Sequence, residues 1–153
     1  MTRAYLAIGS NLGERLAYLQ SALDALRAES AVEVVAWSRV YETEPVGGPE
    51  QDAYLNAVIA VDTALEPFAL LEVAHILEQS AERLRTVRWG PRTLDVDILL
   101  LGDIAMDDPL LTIPHPRMME RPFVLIPLRD VNPDFASDVP NDPSVVVFAE
   151  ELR

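Results

Sequence analysis

Residues 93–101, TLDVDILLL, set two carboxylates into an otherwise apolar run that alternates like a β-strand. Asp is depleted from strands, and a carboxylate facing an apolar core carries a heavy desolvation cost. A period of two places Leu94, Val96, Ile98 and Leu100 on one face and Asp95, Asp97, Leu99 and Leu101 on the other. The acidic face must therefore meet water or hold something, while the apolar face needs cover from other elements. Two such carboxylates lie about 6.6 Å apart along the backbone, from two rises of about 3.3 Å, and can converge on metal ions. Just upstream, Arg83, Arg85, Arg88 and Arg92 fall within ten positions, with Gly90-Pro91 breaking the chain before the strand. The guanidinium fork grips phosphate bidentately, and carboxylate-bound Mg²⁺ commonly completes its octahedron with phosphate oxygens and water. An arginine cluster beside an acidic pair points to a polyanionic small molecule held against metal.

The remaining composition narrows the field. The chain has 153 residues, half of them hydrophobic, enough for one domain over residues 1–153 with a real core. Its formal net charge of −13 repels nucleic acid and anionic membrane surfaces, so neither is expected as a partner. All twelve basic residues are arginine. Cysteine is absent, which excludes disulfides and thiolate metal sites. No apolar run of about 18 residues and no signal-like amino end occurs, so a cytoplasmic protein, acting as a monomer on small molecules, is expected.

Periodicity supplies the other elements. Residues 3–9 read as a strand, followed by a helix in which Leu12, Leu16, Leu19, Leu23 and Leu26 recur at helical spacing, with Asn11 and Glu14 in the pattern of a capping box. Residues 32–41 alternate as one strand, and EPVGGPEQD after them is a loop. In AYLNAVIAVDT, Leu55, Ala57, Ile59 and Val61 take one face, leaving Tyr54 and Asn56 together on the other. Pro67 opens a second helix with Leu70, Ala74, Leu77, Ala81 and Leu84 as its apolar stripe. Further on, His115 stands between two prolines, a short helix is expected around Met118 to Arg121, an apolar stretch runs from Phe123 to Leu128, and SVVVFAEELR reads as a terminal helix. The order β-α-β-β-α-β is that of an α+β, ferredoxin-like fold: an antiparallel sheet with helices packed on both sides.

RWGPRTLDVDILL resembles the signature of the 6-hydroxymethyl-7,8-dihydropterin pyrophosphokinases of the folate pathway. AIGSNLGER, YETEPVG with YLNAV, ERLR and IPHPRMMERPFVLIPL are similar to further segments of that family. The resemblance implies transfer of the β,γ-pyrophosphoryl unit of ATP to the pterin hydroxymethyl group, leaving AMP. It implies two Mg²⁺ ions on Asp95 and Asp97, with Arg83 and Arg92 also catalytic. ATP contacts would come from Arg83, Arg88, Arg92, His115 and Arg121. The pterin would lie between Tyr54 and Phe123, with Thr43, Val46, Asn56 and Trp89 around it. A flat heterocycle needs aromatic faces and an amide that both donates and accepts, and phosphoryl-type transfer needs positioning and charge neutralisation. Glu44, where the family commonly has Pro, and His75, where an amide is expected, bear only on fine contacts. The competing readings are a nucleotide-sensing ferredoxin-like module, which has no use for Tyr54, Asn56 and Phe123, and another Mg²⁺-dependent phosphotransferase on the same scaffold.

Overall fold

A computed structural model of the chain describes residues 1–44, 53–83 and 93–153. Strand β1 (Thr2–Ser10) runs antiparallel to β4 (Tyr54–Thr63) on one side and to β5 (Asp95–Leu101) on the other. β2 (Val32–Trp37) and β3 (Tyr41–Thr43) both pair with β4, and β8 (Val145–Val147) adds to β3, so the sheet has six strands in the order β5-β1-β4-β3-β8 with β2 on β4. A separate two-stranded ribbon joins β6 (Met106–Asp107) to β7 (Thr112–Ile113). The helices are α1 (Arg15–Ala28), α2 (Pro67–Arg83) and α3 (Pro122–Val131), with a 3-10 turn at Met118–Glu120. Among the described residues the fold is α+β: an antiparallel sheet with three helices.

Alternation along the strands sorts side chains into two apolar clusters. Leu6 and Ile8 of β1, with Ala57, Ile59 and Val61 of β4, join Leu19, Leu23 and Leu26 of α1 and Leu70, Ala74, Leu77 and Ala81 of α2. Tyr5, Val58, Ala60 and Leu99 join Met118 and Val124, Leu125 and Leu128 of α3. The expected stripes are buried at Leu19, Leu23 and Leu26 of α1 and along α2, while Leu16 is only half-buried and Leu12 lies before α1, half-buried; Leu84 and Gly90-Pro91 lie outside the described residues. In β5 the alternation slips. Tyr5 faces Leu100 whereas Leu6 faces Ile98, leaving Leu99 as the extra residue of a bulge. Leu100 therefore shares the α3 cluster and Leu101 the other, the reverse of the simple alternation.

Three further expectations are corrected. Residues 32–41 are two strands, because Ser38 interrupts the ladder: its hydroxyl oxygen accepts the Val58 N–H at 2.9 Å and its own O–H donates to the Arg39 carbonyl at 2.7 Å. Asn11 does not cap α1. Gly13, at φ 64, turns the chain so that the helix starts at Arg15, and Asn11 is buried with no hydrogen bond to its Oδ1. The segment after Ser144 is a strand rather than a helix: Asp142 Oδ1 accepts from Ser144 N at 2.9 Å and Oγ at 2.6 Å, and three valines then pair with Thr43, Glu42 and Tyr41. β-branched side chains suit that pleated edge.

Candidate active site

The acidic strand face is uncovered at one end. On this face Leu99 is buried against α3, but Asp97 is exposed and Asp95 half-buried, so the helix stops short of them. The uncovered end forms a cavity of about 390 Å³. Its floor is β1, where Gly9 lies opposite Asn56 on one side and Asp95 on the other, and Ala7 lies opposite Asp97. Thr43 and Glu44 line one rim, Tyr54 and Asn56 the adjacent wall, and Arg121 and Phe123, from the start of α3, complete the enclosure.

Each wall is held by its own contacts. Asn56 Nδ2 donates to Thr43 Oγ1 at 3.2 Å, which orients the amide. Arg15 clips the strand ends together, donating to the Ala53 carbonyl at 2.6 Å and pairing with Glu42 at 2.8 Å. The Arg121 guanidinium lies 5.7 Å from the centre of the Phe123 ring. Burial raises the Tyr54 phenol above its ordinary pKa, and the neighbouring Asp95 charge adds to the effect. The rim of Thr43 and the aromatic wall of Phe123 are tied from behind: Tyr41 on β3 donates to Asp130 on α3 at 2.8 Å.

A second cavity, of about 280 Å³, opens on the far side of the acidic strand between α2, the β6–β7 ribbon and His115. His75 and Glu78 line it, and Asp97 borders both cavities. Glu78 Oε2 accepts the Val96 N–H at 3.0 Å, between the two aspartates; β5 is the edge of the sheet, and the helix supplies the acceptor that a further strand would offer. His115, after the cis Ile113–Pro114 bond, donates its backbone N–H to the Leu99 carbonyl at 3.0 Å, while its Nδ1 accepts from Arg117 N at 3.3 Å. That bond leaves Nε2 as the protonated nitrogen of the neutral ring. Burial lowers the His115 pKa; Asp97 pulls it upward, and Arg121 and Arg117 push it down further.

Asp95 and Asp97 present hard oxygen donors and can hold divalent cations. Among the described residues no group of three or more His, Cys, Asp or Glu converges on one point. A pair of carboxylates suits a cation that keeps water and phosphate in its shell, as Mg²⁺ does.

The family model described as 7,8-dihydro-6-hydroxymethylpterin-pyrophosphokinase (HPPK) matches residues 5–133, which include both cavities' strands and helices. The chain belongs to the HPPK family. It is 46% identical over 134 residues to the 2-amino-4-hydroxy-6-hydroxymethyldihydropteridine pyrophosphokinase of Methylorubrum extorquens, covering 88% of this chain and 85% of that one. The Bacillus subtilis protein of the same name is 47% identical over 128 residues, covering 84% and 77%. Among solved structures, a Plasmodium falciparum HPPK-DHPS triple mutant superposes with a TM-score of 0.68 at 15% identity, over 92% of this chain and 41% of that longer one. An HPPK-DHPS in complex with substrates gives 0.67 at 13% identity, over 87% and 40%. These superpositions show a shared fold.

Of the residues singled out by resemblance to the HPPK signature, Thr43, Tyr54, Asn56, Asp95, Asp97, Arg121 and Phe123 line one cavity, and His115 joins Asp97 in the second. Arg121, expected on the nucleotide side, lines the first cavity beside Phe123. Val46, Arg88, Trp89 and Arg92 lie outside the described residues, as does the side chain of Arg83 at the end of α2. Sequence reasoning passed over Gly9 and Glu78. Gly9 carries no side chain to suggest a role, and nothing in the sequence around Glu78 names the Val96 N–H as its partner.

Proposed function

We propose that this chain transfers the β,γ-pyrophosphoryl unit of ATP to the hydroxymethyl oxygen of 6-hydroxymethyl-7,8-dihydropterin, with two Mg²⁺ ions held by Asp95 and Asp97. Membership of the HPPK family carries pyrophosphokinase activity on this pterin, in folate biosynthesis. The observation that supports the site assignment is Asp97, which borders both cavities: an acceptor bound in one and a polyphosphate in the other meet at this carboxylate. We also read the architecture as ferredoxin-like with helices on both sheet faces, supported by the division of alternate strand residues between the α1–α2 and α3 clusters.

In this reading the pterin lies between the rings of Tyr54 and Phe123, and the Asn56 amide, oriented by Thr43, both donates to and accepts from its edge. The hydroxyl oxygen attacks the β-phosphorus as its proton passes to solvent water, the bond from the β-phosphorus to the bridging oxygen of the α-phosphate breaks, and AMP departs with that oxygen. His115 donates from Nε2 to the phosphate chain, and Arg83 and Arg92 offset the charge developing around it. Bound at the acidic pair, the cations supply charge neutralisation and lower the pKa of the attacking hydroxyl.

Nucleotide chromatography after incubation with ATP, Mg²⁺ and the reduced pterin tests this. AMP should rise in step with pterin diphosphate, and none should form when pterin is omitted. Accumulation of ADP would instead favour a phosphotransferase, and ATP binding without either product a sensor module.

A further inference from the structure

Gly9 is a glycine that its backbone does not require. Among the described glycines only Gly13 and Gly102 have positive φ, so Gly9 occupies a conformation open to any residue. It lies inside a strand, where glycine is unfavourable because it loses more conformational freedom on folding and packs nothing. The explanation lies in space. A Cβ at this position would meet Asn56 Oδ1 at 2.8 Å, with Leu55 O at 3.6 Å and Asn56 Cγ at 3.8 Å. The amide can swing aside only by giving up the bond from its Nδ2 to Thr43 Oγ1.

The register gives this contact its meaning. Gly9 is paired with Asn56 across one strand boundary and with Asp95 across the other, and cross-strand partners point to the same face. With strands about 4.8 Å apart, Asn56 and Asp95 stand on backbones about 10 Å apart, with Gly9 midway. An acceptor held at Asn56 and a phosphate held through the cation on Asp95 therefore approach each other above the glycine, on the strand face that also carries Asp97.

We propose that Gly9 is a positioning residue for the acceptor substrate: its missing side chain lets the Asn56 amide lie low against β1, where it holds the heterocycle close enough for the one-carbon hydroxymethyl arm to reach the phosphate. The inference rests on the pyrophosphokinase reading. A methyl at this position displaces the amide, breaks its bond to Thr43 and lifts the acceptor, without touching the ribbon, α2 or His115 that line the second cavity.

The test is Gly9→Ala, measured by titration with 6-hydroxymethyl-7,8-dihydropterin and, separately, with Mg²⁺ and a non-hydrolysable ATP analogue. Acceptor affinity should fall by about tenfold or more, nucleotide affinity should stay within about twofold, and the melting temperature should change by no more than about 4 °C, because the gain from replacing glycine in a strand offsets the loss of the Asn56–Thr43 bond. A merely structural defect would lower both affinities together. Repeating the substitution in an Asn56→Ala background isolates the contact: with the amide gone, the added methyl should cost less than about twofold. That background also serves if Gly9→Ala alone folds poorly, since the clash is then relieved. Equal acceptor affinity in native and Gly9→Ala proteins overturns the inference, as does an undiminished penalty without Asn56. Native protein that binds no pterin at all overturns the pyrophosphokinase reading and the inference with it.

Discussion

Removing one hydroxyl, by Tyr41→Phe, measures how firmly α3 is tied to the strand carrying Thr43. Tyr41 is 3% exposed, and its O–H reaches an Asp130 carboxylate that also accepts from Arg39 N at 3.1 Å, Nε at 3.3 Å and a terminal guanidinium nitrogen at 3.2 Å. A hydrogen bond to a charged acceptor contributes about 1.5–3 kcal/mol net. Because Arg39 continues to satisfy Asp130 in the variant, the lower end applies: about 1.5 kcal/mol, or about 3–6 °C in melting temperature for a chain of this size. The same site makes a second demand. Burial, and then the bond to Asp130, raise the Tyr41 pKa from 10.0 to about 12. A group whose pKa is raised on folding contributes stability that is full below its unfolded value and is lost as pH climbs through the folded one. Across about pH 10 to 12 the native protein therefore loses up to about 2.7 kcal/mol that the variant does not. Tyr54 also ionises late but does so in both proteins, so it cancels in the difference. Urea denaturation followed by far-UV circular dichroism should show native protein ahead at about pH 8 and the gap narrowing above about pH 10. A gap below about 0.5 kcal/mol at neutral pH, or one unchanged through about pH 11, would refute the reasoning.

The acidic pair should separate folding from turnover. Asp95→Asn and Asp97→Asn should each melt close to native, since neither carboxylate supports a core, yet lose at least about a hundredfold in turnover, nearly 3 kcal/mol of transition-state stabilisation; native turnover in a metal titration would remove them from the site. His115 should titrate below 6.5 in the free protein, because burial outweighs the pull of Asp97. Its midpoint should rise when Mg²⁺ and an ATP analogue bring phosphate to the ring, and an NMR titration showing no upward movement would take His115 off the phosphate path.

What could be read from sequence was what periodicity encodes. Asp95 and Asp97, Tyr54 and Asn56, and the stripes of α1 and α2 follow from periods of 2 and 3.6, and their faces are as expected. The short elements did not follow, because a brief apolar run is ambiguous between helix and strand until a partner decides it. Val145–Val147 becomes a strand only because β3 offers an unpaired edge about a hundred residues earlier in the chain. Phe123 to Leu128 proves helical despite Pro127, since Pro122 opens the helix and Met118 and the sheet cover its apolar side. Gly9 and Tyr41 are silent for a related reason: their partners, Asn56 and Asp130, lie far along the chain, and nothing local to either residue names them.

The bulge at Leu99 makes strand length a functional quantity. In any ladder one more or one fewer residue turns the side chains beyond it to the other face. Here the residue that faces no partner on β1 is the one whose carbonyl hitches His115 to the sheet. Deleting Leu99 would restore the regular alternation of β5 while casting off the histidine. An insertion between Asp97 and Leu99 would lengthen the span between cation ligand and imidazole. The stretch from Asp95 to Leu101 thus behaves like a gauge block: its count of residues, as much as their identities, sets the distance between the groups proposed to hold the phosphate chain.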